Sequence, residues 1–321
     1  MDRSFSVVLV VVVVVVVDMT SILSCDIIDN GVIPMTIKEI VSWYIDSKQA
    51  RLAPRTIENY RFLCERYCQA LELTPVNIEK CYAQLLADGK ERTAEEVYKL
   101  IRAACRKGSR YEIIEKDCSA VVDPVRHEQE MRDYWTVDEA RAFLRATEGS
   151  EMHIAWLLML GMGLRRGEAC GLRWIDIELL SGYLTIQNQR YRYKGEMIDA
   201  KPKSRTSKRR LKMTEETRRL LVERRKRRPW DTYVLEDVSP EKLRWLFREA
   251  CIKANIRCIP LHGLRHTFAA TSIETGGSLR VLQVVMGHAS YQVTENHYAH
   301  VSEKAKAAAV EGVGRVISSD S

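Results

Sequence analysis

From Met35 onward the apolar residues recur at helical spacing. Between Thr36 and Tyr44 they fall at Ile37, Ile40, Val41 and Tyr44, one 3.6-residue face behind a Thr cap. A second helix is expected over Pro54 to Ala70, with Ile57, Tyr60, Leu63, Cys64 and Tyr67 on one stripe. Thr74-Pro75 opens a third, which runs through Leu86 and ends at Ala87-Asp88-Gly89. A fourth spans Thr93 to Lys107, with Gly108 as its stop. These segments predict an all-helical unit over residues 35–123. Residues 124–133 hold a Pro, carry charge and lack a period, so they read as a linker.

The second unit, residues 134–301, mixes periods. Thr136-Val137-Asp138-Glu139 starts a helix with acidic residues in its first turn, and Glu151 to Gly161 is apolar nearly all round, which marks a buried helix. Tyr183 to Gln187, Tyr191 to Tyr193 and Met197 to Asp199 read as short strands, with Lys194-Gly195 as a turn and Arg209 to Met213 as a further edge. Thr214 and Ser239-Pro240 open two more helices, and helices continue onward, punctuated at Gly276-Gly277 and Gly287. The expected fold class is α+β, mostly α: a helical domain, then a mixed domain with one small antiparallel sheet.

Residues 1–34 do not fit this scheme. Val7 to Val17 is an unbroken apolar run of eleven residues, shorter than the roughly 18 to 20 that cross a bilayer. Asp2 beside Arg3 leaves it without the positive lead-in of an export signal, although Ile22 to Cys25 faintly resembles a lipoprotein cleavage site. The expectation is a non-functional leader, with Met19 or Met35 as the effective start.

Composition narrows the function. Of 321 residues, 46% are hydrophobic and 29% charged, which excludes a disordered or fibrous chain. The nine cysteines are odd in number and form no C-x-x-C pair, so they read as buried thiols in a reducing compartment rather than as disulfides or zinc ligands. Charge is uneven. Lys201 to Arg228 holds fourteen Lys and Arg against three Glu, and with a net charge of +7 the remainder of the chain is slightly acidic. Such a segment suits either a solvated helix face or a phosphate-rich partner.

Four places concentrate reactive groups. Gly163-Leu164-Arg165-Arg166-Gly167-Glu168 follows the buried helix, where a cation caps the helix or binds a ligand. Leu261-His262-Gly263-Leu264-Arg265-His266 puts two His and an Arg on one helical turn. His262 and His266 have the spacing of a metal pair, but the acid found between such ligands is absent, so no metal is expected. Met286-Gly287-His288 by itself reads as a helix stop, and Tyr298 by itself as a packed Tyr.

Together and in order, Arg, then His-x-x-Arg, then Gly-His, then Tyr ten residues further on, resemble the tyrosine recombinase (phage integrase) family. The resemblance runs from about Thr36 to Val301, over four-fifths of the chain. It implies a core-DNA-binding helical domain and a catalytic domain that together clamp double-stranded DNA. It places Arg165, His262, Arg265 and His288 in the catalytic set, with Tyr298 as nucleophile and Glu168 as a support for the active-site Arg. Pro202-Lys203-Ser204 resembles the family's lysine-bearing turn, so Lys203 is the implied general acid and Lys201 the alternative. Met286 stands where Leu is usual and Ser204 where Thr is usual; neither is a reacting group. An arm-site-binding domain before Met35 is not in evidence.

The implied chemistry is a pair of transesterifications. Tyr298 attacks phosphorus and keeps the 3′ phosphate while a 5′ hydroxyl leaves. Arg165 and Arg265 would clamp the non-bridging oxygens, since guanidinium is planar, permanently charged and bidentate. His262 and His288 would manage hydrogen bonds and protons. No cofactor and no ATP is needed. Arg102, Arg106, Lys107 and Arg110, with Lys201, Arg205, Lys208, Arg209, Arg210 and the basic helix after Thr214, are the candidates for DNA contact. The family further implies a homotetramer on two DNA sites, a role for residues 302–321 in contacts between protomers, accessory excision or DNA-bending proteins, no membrane partner, and a cytoplasmic, nucleoid-associated place of work. The leading expectation is an integrase of a phage or other mobile element. A recombinase that resolves chromosome dimers, a type IB topoisomerase and a non-catalytic DNA-binding regulator are the competing readings; the complete roster of catalytic positions argues against the last.

Overall fold

A Thr followed three residues later by Glu lets each side chain satisfy the other's backbone N–H. Thr36 and Glu39 do this at the start of α1 (Ile37–Asp46) in the computed structural model, which describes residues 35–127, 133–200 and 208–287. The chain divides into two compact units between Glu128 and Gln129.

In the first unit α1 is followed by α2 (Pro54–Tyr67), α3 (Pro75–Ala87), whose Thr74 cap accepts from the Asn77 N–H, and α4 (Glu91–Arg110). α1 and α3 both pack on α4, whose Ala94, Val97, Ile101, Ala104 and Cys105 form an i, i+3, i+4 stripe buried against them. Gly108, expected as the stop of this helix, lies inside it. A Cβ there would come within 2.7 Å of the Ile40 side chain, so the glycine permits the close approach of α1 and the helix runs on to Arg110.

The second unit begins with α5 (Val137–Thr147), opened by a reciprocal Thr136–Glu139 cap, and α6 (His153–Leu160), all eight residues of which are buried. α7 (Arg166–Cys170) follows a short loop. Strands β1 (Ile177–Glu178), β2 (Tyr183–Ile186), β3 (Gln189–Tyr193), β4 (Glu196–Ala200) and β5 (Arg209–Lys212) come next. Then come α8 (Glu215–Arg227), α9 (Pro240–Lys253), α10 (Gly263–Glu274) and α11 (Leu279–Met286). Trp135, Phe143, Trp156 and Phe247 interlock at the centre, with ring centroids 4.8 to 5.9 Å apart.

Where one sheet was expected, two form. β1, β2 and β5 make an antiparallel sheet in the order β1-β2-β5, and β3 and β4 make a separate hairpin. β3 leaves the sheet because it crosses Gly171 at the end of α7: a Cβ at Gly171 would sit 2.8 Å from the Gln189 Cα. The hairpin turns at Lys194 and Gly195, both at positive φ, as the sequence predicts.

Of the cysteines in the described residues, all but Cys118 and Cys258 are buried, and burial pushes the Cys105 and Cys170 thiols up to about 12. Among the described residues no helix is long and apolar enough to cross a membrane, and no His, Cys, Asp and Glu cluster has the makings of a metal site.

Candidate active site

The exit of α6 creates the first element of the site. Gly163 has a φ of +68°, and a Cβ there would lie 2.6 Å from the Phe268 ring. Only glycine suits both conditions. The chain then turns into α7 with Arg165 as its cap residue, whose backbone N–H donates to Glu168 Oε2 (2.8 Å).

Glu168 is the hub. Its side chain is 4% exposed, and three guanidiniums converge on it. Arg165 Nη1 donates to Oε1 at 2.7 Å, while Arg209 binds both oxygens, Nη1 to Oε1 at 3.0 Å and Nη2 to Oε2 at 2.8 Å. Arg265 Nη1 lies 3.8 Å from Oε2. Burial alone would push this carboxyl up; the hydrogen bonds and charge of Arg209, then the charges of Arg165 and Arg265, outweigh it and hold the group down at about 2. Among the described residues, three guanidiniums share this one carboxylate. A guanidinium cluster of this kind can take an added anion.

α11 supplies the other anchor. Its last carbonyls face the cluster, where the negative end of the helix dipole adds to the attraction. Val285 C=O accepts from Arg209 Nε (2.6 Å), Met286 C=O from Arg265 Nη2, and Gly287 C=O from Arg165 Nη2 (3.1 Å). Gly287 ends the helix in the left-handed conformation with a φ of 61°. Arg265 Nη1 also donates to Gly163 C=O at 2.6 Å, so the glycine at the α6 exit positions this arginine directly. Arg165 keeps 33% of its side chain exposed, whereas Arg265 keeps 1%.

His262 is exposed at the cap position of α10, with its ring 4.9 Å from that of buried His266 and nearly perpendicular to it. The structure therefore brings Arg165, Glu168 and Arg265 together where the α6 exit, α10 and the end of α11 meet, with His262 three residues before Arg265 at the cap of α10. His288, Tyr298, Lys201, Lys203 and Arg205 lie outside the described residues, as do residues 1–34 and 302–321.

Arg209 departs from expectation. It was a candidate for DNA contact, but its side chain is 3% exposed and is engaged by Glu168 and Val285. The reason is register. Residues of β5 alternate, so Arg209 shares the inward face with Leu211, while Arg210 and Lys212 point outward. Arg210 is also held within its own sheet, bidentate to Glu178 (3.1 and 2.6 Å) and 3.8 Å over the Tyr183 ring. Lys208, at the head of the strand, is exposed. Part of the charge of the basic helix, α8, is paired: Arg218 with Glu215, Arg219 with Glu223, and Arg228, just past its end, with Glu151. Arg224 is buried, donating to Val234 C=O at 2.7 Å.

A second positive surface lies wholly on the first unit. A groove of about 830 Å³ is lined by Lys48, Arg51, Lys99, Arg102, Arg106, Lys107 and Arg110, with Tyr44 and Tyr111, and no acid among its lining residues. Lys107 sits 5.1 Å from the Trp43 and Tyr111 rings; burial, then the charges of Lys48 and Arg51, lower its pKa. Four of these cations were read from α4 alone. Lys48, Arg51 and Lys99 were missed: the first two follow α1 and join the others only through the packing of α1 on α4, while Lys99 lies one turn before Arg102 on α4 itself.

A model of the phage integrase family matches residues 134–305. The chain belongs to that family. Among relatives in this family, a tyrosine recombinase XerA of Pyrococcus furiosus is 33% identical over 156 residues, which cover 48% of this chain and 52% of the relative. A tyrosine recombinase XerC-like protein of Caldanaerobacter subterraneus subsp. tengcongensis is 25% identical over 202 residues, 54% of this chain and 52% of the relative. The chain thus spans about half the length of these relatives, although a XerA of Thermococcus kodakarensis aligns over 79% of this chain and 90% of its own, at 25% identity. The fold of this phage integrase family member is also that of the Tn1549 transposon integrase in complex with transposon right end DNA. That match has a TM-score of 0.74 at 20% identity, covering 87% of this chain and all of the other. A lambda integrase dimer bound to a COC′ core site gives a TM-score of 0.62 at 19% identity, covering 81% and 97%.

Proposed function

We propose that this protein is a site-specific recombinase that cuts and rejoins double-stranded DNA through a 3′-phosphotyrosine at Tyr298. The observation that carries the reading is the Glu168 cluster: three guanidiniums gathered on a buried carboxylate by three converging elements in a member of the phage integrase family. A phosphodiester brings negative charge to such a cluster, and the phosphorane formed from it brings more. Arg165, with a third of its side chain exposed, meets the phosphate from the open side, and Arg265 from beneath. His262 and His288 exchange protons and hydrogen bonds, and Lys203 protonates the departing 5′ oxygen, with Lys201 as the alternative. The groove of the first unit follows the phosphate backbone, and the two units form the core-binding and catalytic domains.

A mobile-element integrase is the preferred role, supported by the shared fold with the Tn1549 and lambda integrases. A lambda integrase tetramer bound to a Holliday junction also shares the fold, which supports four protomers acting on two duplexes. The Xer relatives favour the second reading, resolution of chromosome dimers. The two roles separate on substrates: an integrase joins a circle to a second duplex, whereas a resolvase converts a dimeric circle to monomers. We further propose a cytoplasmic place of work.

The test of the chemistry is a pool of short duplexes of randomised sequence, each carrying a nick, incubated with the protein in chelator. A denaturant-resistant protein–DNA adduct is expected from the wild type and none from Tyr298→Phe, with DNA retention unchanged. Absence of any adduct from the wild type, or an adduct in Tyr298→Phe, rules the reading out.

A further inference from the structure

The three successive carbonyls that end α11 each accept a guanidinium from a different element: Arg209 from β5, Arg265 from α10, and Arg165 from the cap of α7. Two of these arginines are assigned to the scissile phosphate under the proposed function. The third, Arg209, has no step of that reaction assigned to it. All three nitrogens of its guanidinium are engaged. Nη1 and Nη2 take the two oxygens of Glu168 at 3.0 and 2.8 Å, and Nε takes Val285 C=O at 2.6 Å, so a single rigid plane joins the buried carboxylate to the end of α11.

We propose that Arg209 is a positioning residue of strand cleavage, which orients Arg165 and Arg265 by fixing both of their anchors; this rests on the proposed function above. Arg165 is held at two points, Glu168 Oε1 (2.7 Å) and Gly287 C=O (3.1 Å). Arg265 is held by Gly163 C=O (2.6 Å) and Met286 C=O and lies beside Glu168. One anchor of each arginine therefore lies within two residues of Val285, and the other shared neighbour is the carboxylate that Arg209 saturates. Without Arg209, Glu168 retains its charge but loses its bidentate partner. It then draws Arg165 and Arg265 toward itself, in competition with the phosphate. The end of α11, from which the chain continues to His288, loses its tie to β5 at the same time.

The geometry also says what a lysine would fail to do. A single ammonium keeps the positive charge near Glu168, but lacks the planar fork that serves both oxygens and the Val285 carbonyl together. Arg209→Lys thus separates charge from orientation, while Arg209→Met removes both.

The experiment uses the full chain and a nicked duplex recovered from the randomised pool. Single-turnover cleavage at saturating DNA, DNA affinity, and the unfolding midpoint are measured for the wild type, Arg209→Lys, Arg209→Met, and Leu243→Ala, a core truncation in α9. Misplaced reacting groups slow chemistry without weakening binding, so Arg209→Lys is expected to cleave about 10²-fold more slowly with its Kd within about twofold of wild type. Leu243→Ala, which lowers the unfolding midpoint without touching the cluster, is expected to cleave at the wild-type rate. Wild-type cleavage by Arg209→Lys, a loss of rate matched by the loss of affinity, or an equal loss in Leu243→Ala would overturn the proposal, whether or not Arg209→Met folds. Failure of the wild type to form any adduct is a separate outcome: it overturns the proposed function and, with it, this role for Arg209.

Discussion

Replacing Glu168 by Gln leaves the shape of the hub nearly unchanged and removes its charge. The carboxyl is held at about 2 against an ordinary value of 4.5, a depression of roughly 2.5 units, and each unit is worth about 1.4 kcal/mol. The charge therefore contributes on the order of 3 kcal/mol to the folded second unit, with little solvent screening because the side chain is 4% exposed. A folded pKa below the unfolded one gives stability that is complete above pH 4.5 and declines as pH falls toward 2. Glu168→Gln should thus be about 3 kcal/mol less stable than wild type at pH 7. The gap should narrow by on the order of 1 kcal/mol on going to pH 3.5, since only the wild type has this proton to gain. Urea unfolding followed by tryptophan fluorescence reads the right unit: Trp135, Trp156, Trp174, Trp230 and Trp245 belong to it, and Trp43 alone to the other. A gap below about 1 kcal/mol at pH 7, or one that stays constant between pH 6 and 3.5, would refute the claim that three arginines depend on this charge.

Gly163→Ala should destabilise the second unit by about 2 to 4 kcal/mol, combining left-handed strain with overpacking against Phe268, and should also slow cleavage because Gly163 C=O orients Arg265; a stability change under about 0.5 kcal/mol in chemical denaturation would count against both effects. Arg106→Ala in the groove should weaken binding about equally across DNA sequences and lower the salt slope of log K by about 1. A change in sequence preference with an unaltered slope would mean that the groove reads bases. Lys203→Ala should cleave about 10² to 10⁴-fold more slowly, as losses of a general acid run, and sulfur in place of the bridging 5′ oxygen should restore most of the rate. Rescue confined to Lys201→Ala would move the role by two residues, and rescue in neither variant would assign the proton elsewhere.

Much of the helical architecture was legible because its signals are local. Thr36 with Glu39, Thr74-Pro75, Thr136 with Glu139, and Ser239-Pro240 each mark a helix start within four residues, and each forms where expected. The misreadings involve glycines whose purpose is set by a distant neighbour. Gly108 looks like a stop until Ile40 of α1 is placed against it, and Gly171 carries no sequence signal that β3 will cross it and leave the sheet. Both are close approaches between segments far apart in the chain, which a single local window does not contain.

The site divides along the same line. Arg165, Glu168, His262 and Arg265 stand in short ordered motifs, and the structure gathers Arg165, Glu168 and Arg265 at one place, with His262 at the cap of the helix that carries Arg265. Arg209 stands in a run of cations, Lys208 to Arg210, where composition suggests one shared purpose. The strand gives them different ones. Leu211 and Met213 are apolar and must face the core, so a period of two already assigns Arg209 to the inside and Arg210 to the outside. A buried arginine then requires a carboxylate, and Glu168, three residues after Arg165 on a turn without another acid, is the one that the sequence supplies nearby in the fold. In α8, the most basic helix, the same pairing is partial: Glu215, Glu223 and Glu151 take Arg218, Arg219 and Arg228. Positive charge marks a phosphate site only where the fold withholds the matching acid. The groove beside α4 comes near to that condition: no acid is among its lining residues, although Lys99 pairs with Glu95.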